Sequence, residues 1–378
     1  MLKKISSIIL CFLIALSACA IGASAEGAPQ ITVPAAILMD QTTGTVLFEH
    51  NADEQRAPAS VTKVMTLLLI METVDSGKLT WETPINVSPE AAGMGGSQVY
   101  LKEGETMTVE EMVKCIAVVS ANDCCVAMAE AICGSTASFI ERMNERAAEL
   151  GMKNTHFNSC TGLDTEDHYT TARDIAIMSR ELMKHDRIKQ YSTIWMDTVR
   201  DGAFTLSNTN KLIRFYDGAT GLKTGFTDDA GYCLSATATR ESLSLIAVVL
   251  GGETSDQRFN DAKALLNFGF TQYETYSQSP AEIQPVTVIK GMEDTIRPVL
   301  AKEPAFLVPK GSAANITYTV NLPESVAAPV DEGQKLGSID YTLDGKVIGS
   351  VDLLAEKQLP KATFGHLFFH LIQYFFAV

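Results

Sequence analysis

The chain has 378 residues, 46% of them hydrophobic and 20% charged, enough for two or three domains of ordinary globular composition. A formal net charge of −15 excludes the basic footprint that nucleic-acid binding demands. The six cysteines beyond the N-terminal segment do not pair with histidines at zinc-site spacing, and neither a metal nor another cofactor is expected.

The first 25 residues read as a signal peptide. "MLKK" supplies a positive start, "ISSIILCFLIAL" an apolar stretch, and "ASA" at 23–25 a small-residue cleavage site. "LSAC" at 16–19 offers a second reading, in which Cys19 is lipidated; both readings export the protein, and cleavage after Ala25 is preferred. Of the remaining cysteines, Cys115, Cys124, Cys125, Cys133, Cys160 and Cys233 are not spaced like the framework of a small disulfide-rich domain. They read mostly as small buried hydrophobes, with one or two disulfides left open by an oxidising compartment.

Residues 35–53 read as two strands joined by a polar turn at Gly44. A strongly apolar helix, "SVTKVMTLLLIMETV", starts at Ser60. Within 104–119, Thr108 and Glu111 form a capping box ahead of a further helix. Helical patterns follow at 123–132, 137–150 and 172–184. Residues 230–252 are two β-rich runs turning at Arg240-Glu241, and 258–270 is a closing helix. From about 276 the pattern changes to short alternating runs broken by Pro, Gly, Asn and Asp, which is a small all-β domain. The expected division is therefore signal peptide 1–25, catalytic domain 26–275, β-rich domain 276–358 and terminal helix 359–378. In that last helix His366, His370 and Gln373 share one stripe among phenylalanines, so it reads as amphipathic and lying on a membrane surface.

Three short motifs carry the chemistry. Ser60-x-x-Lys63 is weak alone, since about one such pair is expected by chance in a chain of this length. Ser120-Ala121-Asn122 and Lys223-Thr224-Gly225 each occur once, and their order on helix start, loop and strand makes coincidence a poor explanation. A serine hydroxyl is a weak nucleophile without an adjacent base. Residues three apart on a helix share a face, so Lys63 can reach Ser60. Burial in the apolar run and a second nearby ammonium, Lys223, would push Lys63 towards its neutral, proton-accepting form. Ser120 can relay a proton to a leaving nitrogen, and Asn122 can donate to a substrate carbonyl or hold Lys63. Lys223 and Thr224 offer a charge and a hydroxyl to a carboxylate, while Gly225 leaves room along the strand edge. Two oxyanion donors would each contribute about 3–4 kcal/mol in the transition state. His156 and His168, in a polar loop, read as structural, and Glu166 and Asp167 as solvated charges. Arg258 reads either as a substrate-carboxylate partner or as half of a surface ion pair.

With "APASVTK", "SANDCCVAMAE", "HYTTARDIAIMSREL", "GLKTGFTDDAGYCLSATA" and "LLNFGF", the chain resembles the serine D-alanyl-D-alanine carboxypeptidases, the low-molecular-mass penicillin-binding proteins of peptidase family S11. The resemblance is close over about 30–275. It implies an α/β (α+β) domain of the β-lactamase/DD-peptidase type, an antiparallel sheet flanked by helices, followed by the small all-β domain and the amphipathic helix. It also implies Ser60 as acylated nucleophile, Lys63 as its base, Ser120 as catalytic partner, and Asn122, Lys223, Thr224, Gly225 and Phe226 in substrate binding. The N–H groups of Ser60 and Phe226 would form the oxyanion hole. The implied substrate is a peptidoglycan stem peptide ending in D-Ala-D-Ala, with β-lactams as inhibitors, on the outer face of the cytoplasmic membrane. Departures are Ala121 where glycine is frequent, Phe226 where some relatives have histidine, and "NSCTGL" at 158–163, where the loop is expected to differ in shape. A β-lactamase is a competing reading, but no Glu-Pro-x-x-x-Asn setting lies between 123 and 222. A DD-endopeptidase would use the same machinery.

Overall fold

The computed structural model describes residues 27–366 and 368. The expected signal peptide and most of the terminal helix lie outside the described residues. At the centre is a five-stranded antiparallel sheet of β1 (Ala35–Asp40), β2 (Val46–His50), β3 (Ala219–Thr227), β4 (Gly231–Arg240) and β5 (Leu243–Gly252). Its order is β2-β1-β5-β4-β3, so the first and last parts of the domain meet in one sheet and β3 is an edge. The turn between β4 and β5 falls at Glu241, whose positive φ of 52° closes the hairpin where the sequence places it.

β5 shows why this sheet is covered on both faces. Ile246, Val248 and Leu250 enter one apolar cluster, while Leu245, Ala247 and Val249 enter another, the two-residue period of a strand with no wet side. The first cluster holds the helices α1 (Lys63–Asp75), α2 (Val109–Val119), α3 (Asn122–Cys133), α4 (Thr136–Glu149) and α5 (Ala172–Leu182). The second holds α6 (Ser255–Gln272), which lies so close to the sheet that a Cβ at Gly269 would stand 2.5 Å from a Leu245 methyl. In α1 every residue from Lys63 to Met71 is buried, the signature of a helix enclosed by others. The capping box at Thr108 and Glu111 forms as read, the Thr108 hydroxyl accepting from the Glu111 N–H at 3.2 Å.

The start of α1 differs from expectation. Residues Ala59–Thr62 form a 3₁₀ turn, and the α-helix begins only at Lys63. Ser60 therefore sits on the tighter winding, in which residues three apart eclipse one another. Ala59 has a positive φ of 47°, a conformation that costs a non-glycine residue of order 1–3 kcal/mol and marks a turn held by its surroundings.

Beyond α6 the chain is β-rich. The strand Tyr273–Tyr276 pairs with Phe306–Pro309, and two further sheets of three and four strands carry their own small cores around Val330 and Tyr341. The six cysteines after the N-terminal segment are all free thiols, five of them buried, in line with their reading as small apolar residues. Among the described residues no single helix is long and apolar enough to cross a membrane.

Candidate active site

Ser60 and Lys63 meet as their spacing requires. The Lys63 Nζ donates to Ser60 Oγ at 2.6 Å and to the Thr161 carbonyl at 2.6 Å. The amine is fully buried between α1, α3 and the 158–163 loop, and burial brings its pKa down to about 8. The neighbouring thiols Cys125 and Cys160 act in the opposite direction but more weakly than burial; burial pushes the thiols themselves up to about 12 and about 11. A neutral amine against the hydroxyl is the state a proton acceptor needs.

Lys223 is the second buried amine. Its pKa falls well below the ordinary value, first through burial and then through repulsion from Lys63. Lys223 Nζ donates only to the Thr224 carbonyl beside it, at 3.0 Å. The Thr224 hydroxyl pairs with that of Thr209 at 2.7 Å, and the Thr209 N–H donates to the Val118 carbonyl at 3.1 Å. Thr209 thus ties β3 to the end of α2, where Ser120 follows. The sequence reading did not find Thr209; "SNTNK" is a plain polar run with no spacing signal.

Ser120 caps α2 in the left-handed region with φ 65°, and its hydroxyl is buried without a hydrogen-bond partner among the described residues. Asn122 is also buried, but it does not hold Lys63. Its Nδ2 donates to the Gly95 carbonyl at 2.8 Å, its N–H donates to the Ser97 carbonyl at 2.7 Å, and its Oδ1 has no partner. Of the two roles read for Asn122, holding Lys63 falls to the Thr161 carbonyl, and donation to a substrate carbonyl is the one left. Gly225 also packs against the turn that carries Ser60. A Cβ there would lie 2.9 Å from the Pro58 carbonyl and 3.0 Å from the Ser60 nitrogen, so its bareness lets β3 press against the nucleophile turn. Phe226, half exposed, stacks on Tyr232 with ring centres 4.3 Å apart and forms an apolar rim.

Arg258 is neither in a surface ion pair nor in the open cleft. It is buried behind the sheet, where Nη1 donates to the Gly225 carbonyl at 3.0 Å and the guanidinium lies over Tyr232 and Phe259. It steadies the strand from the far side.

The 158–163 loop is the largest addition to the sequence reading, since a backbone carbonyl leaves no mark on a sequence. Its Thr161 carbonyl holds Lys63, and its Cys160 carbonyl accepts from Thr66 at 2.7 Å. At Gly162, with φ +80°, a Cβ would fall 1.9 Å from the Ala59 carbonyl oxygen, leaving no room for any side chain. Gly162→Ala is therefore expected to shift loop and nucleophile turn apart, lowering Tm and slowing acylation about 100-fold, as a misplacement near 1 Å does. Thermal unfolding and acylation rate measured on the same sample check this.

His168 stands beside the same turn. Burial, with a smaller contribution from His156, brings it down to about 4, so the ring is neutral at ordinary pH. The Asn158 N–H donates to Nδ1 at 2.9 Å, which leaves the ring proton on Nε2, 2.8 Å from Thr62 Oγ1. Glu166 and Asp167 are exposed, as read. Among the described residues no three His, Cys, Asp or Glu side chains group as a metal site.

A serine 2.6 Å from a buried lysine of lowered pKa, beside an edge strand carrying a second lysine, is an arrangement suited to acyl transfer. The chain belongs to the D-alanyl-D-alanine carboxypeptidase family, peptidase S11, which it matches over residues 22–254; residues 270–361 match the C-terminal domain of penicillin-binding protein 5. It is 42% identical over 335 residues to the D-alanyl-D-alanine carboxypeptidase DacF of Bacillus subtilis, covering 87% of this chain and 86% of that one. The structure of penicillin-binding protein 5 from Haemophilus influenzae matches with a TM-score of 0.74 at 31% identity, over 88% of this chain and 99% of that one. Penicillin-binding protein D2 from Listeria monocytogenes, in its ampicillin-bound form, matches with a TM-score of 0.59 at 32% identity, over 64% of this chain and 98% of that one.

Proposed function

We propose that this protein is an exported serine D-Ala-D-Ala carboxypeptidase that trims the terminal D-alanine from peptidoglycan stem peptides and is acylated by β-lactams. The observation that carries the reading is the 2.6 Å contact between Ser60 Oγ and a fully buried Lys63 whose amine is neutralised near pH 8. Ser60 gives its proton to Lys63 as Oγ attacks the penultimate D-alanine carbonyl. The N–H groups of Ser60 and Phe226 take the developing oxyanion. Lys63, with the unpartnered Ser120 hydroxyl as relay, returns the proton to the departing D-alanine nitrogen. Water then attacks the ester and frees Ser60. Lys223 and Thr224 bind the terminal carboxylate, whose negative charge favours the protonated amine that burial alone disfavours, and Asn122 lines the cleft. Gly225 allows β3 its close approach.

The proposed division keeps residues 26–275 as catalytic domain and 276–358 as β-rich domain, joined through the strand pair 273–276 with 306–309. Placement on the outer face of the cytoplasmic membrane rests on the segment 1–25 and the phenylalanine-rich stripe of 359–378, whose described start leaves Phe364 85% exposed.

Intact mass of the 26–360 chain, followed through time after benzylpenicillin, tests the reading. A lasting adduct on Ser60 together with D-alanine release from a D-Ala-D-Ala peptide is the expected result. A fleeting adduct with penicillin consumed would instead make it a β-lactamase.

A further inference from the structure

Ser60 contributes more than its hydroxyl. Its N–H shares a peptide unit with the Ala59 carbonyl, and in a trans peptide the two point in opposite directions. Whatever fixes the Ala59 oxygen therefore aims the Ser60 N–H. That oxygen accepts from the Thr62 hydroxyl at 2.8 Å, and Thr62 Oγ1 in turn lies 2.8 Å from His168 Nε2. The direction of the chain is settled at its far end, since the Asn158 N–H occupies Nδ1 and puts the ring proton on Nε2. The hydroxyl's one proton and one of its two lone pairs are then ordered, receiving from the imidazole and donating to the carbonyl.

We propose that His168 and Thr62 are positioning residues of the acylation step, holding through Nε2–H···Oγ1–H···O=C the peptide unit whose N–H faces the substrate oxyanion. Three observations support it beyond the distances. Ala59 sits at φ 47°, a conformation that does not persist without external support. The Ser60 nitrogen is turned towards β3, where a Cβ at Gly225 would come within 3.0 Å of it. Thr62 and His168 are both buried, so water does not compete for either bond. In a dry chain each hydrogen bond polarises the next, so the neutral imidazole also strengthens the hold on the carbonyl.

The inference rests on Ser60 as nucleophile, and the test separates the two. Thr62→Val keeps the shape and removes the hydroxyl; Thr62→Ser restores it, and His168→Gln keeps an N–H near the Nε2 position. Benzylpenicillin acylation of Thr62→Val is expected to slow by about 10- to 100-fold, short of the loss of an entire oxyanion donor. Thr62→Ser recovers most of that loss, and His168→Gln falls between. The ester carbonyl stretch of the penicilloyl-enzyme moves to higher wavenumber in Thr62→Val, because a misaimed N–H polarises the ester less. A role confined to stability would lower Tm and leave both the band and the rate per folded molecule unchanged, which overturns the inference. Unaltered protein that takes no adduct overturns both the inference and the nucleophile it rests on.

Discussion

Ser60→Ala is expected to take no penicilloyl adduct and to lose D-alanine release by roughly six orders of magnitude, the scale on which serine hydrolases fail without their nucleophile. The side chain removed is small, and half-exposed Ser60 has its hydroxyl in one hydrogen bond, from Lys63. Stability should therefore stay within about 1 kcal/mol of the parent's. Binding of an uncleaved D-Ala-D-Ala peptide should survive, since Lys223 and Thr224 are untouched. Intact mass after penicillin, D-alanine release and calorimetric binding together check the three parts. An adduct persisting in this variant would move the nucleophile elsewhere, with the unpartnered Ser120 hydroxyl as the first place to look.

Lys63→Met should cost about 10²–10⁴ in acylation, the range for a lost general base, while raising stability. The sign of the second effect follows from proton counting. The folded amine titrates at about 8 against 10.5 for its ordinary value, so between those pH values the unfolded chain holds the extra proton. Stability thus rises with pH across that window, and the penalty is complete below pH 8. Methionine removes it, and a gain of about 1–2 kcal/mol should remain after the Thr161 carbonyl is left without its donor. In the unaltered protein the same titration governs rate. Acylation should climb about tenfold per pH unit below 8 and level off above it, because only the neutral amine accepts the Ser60 proton. Lys63→Arg, charged at every accessible pH, should lose both the rate and the profile. Denaturant melts and stopped-flow acylation between pH 6 and 10 check both halves.

Much of the site was legible because it is built from side chains at fixed spacings. Ser60 and Lys63 are three apart, and Lys223, Thr224 and Gly225 are consecutive on one strand. The sheet was legible at its two ends, in 35–53 and 230–252, because β-branched runs and turns mark them. What escaped was backbone. The carbonyl that holds Lys63, the left-handed Ser120, the 3₁₀ winding under Ser60 and the carbonyl that Arg258 holds belong to no residue type. Asn122 illustrates the same limit. Its amide has many carbonyls within reach, and only packing selects that of Gly95. Short pairings such as Met196–Val199 with Phe204–Ser207 were missed because four residues carry too little periodicity.

The seams at Gly162 and Gly225 bear on how such a protein can change over generations. At both, main chain meets main chain beside Ser60, and a single added methyl group collides. Substitution at either seam is therefore expected to act all or none, because no side chain enters without moving the turn. Phe226, half exposed next to Gly225, carries no such restriction and is where a graded change beside the site is open.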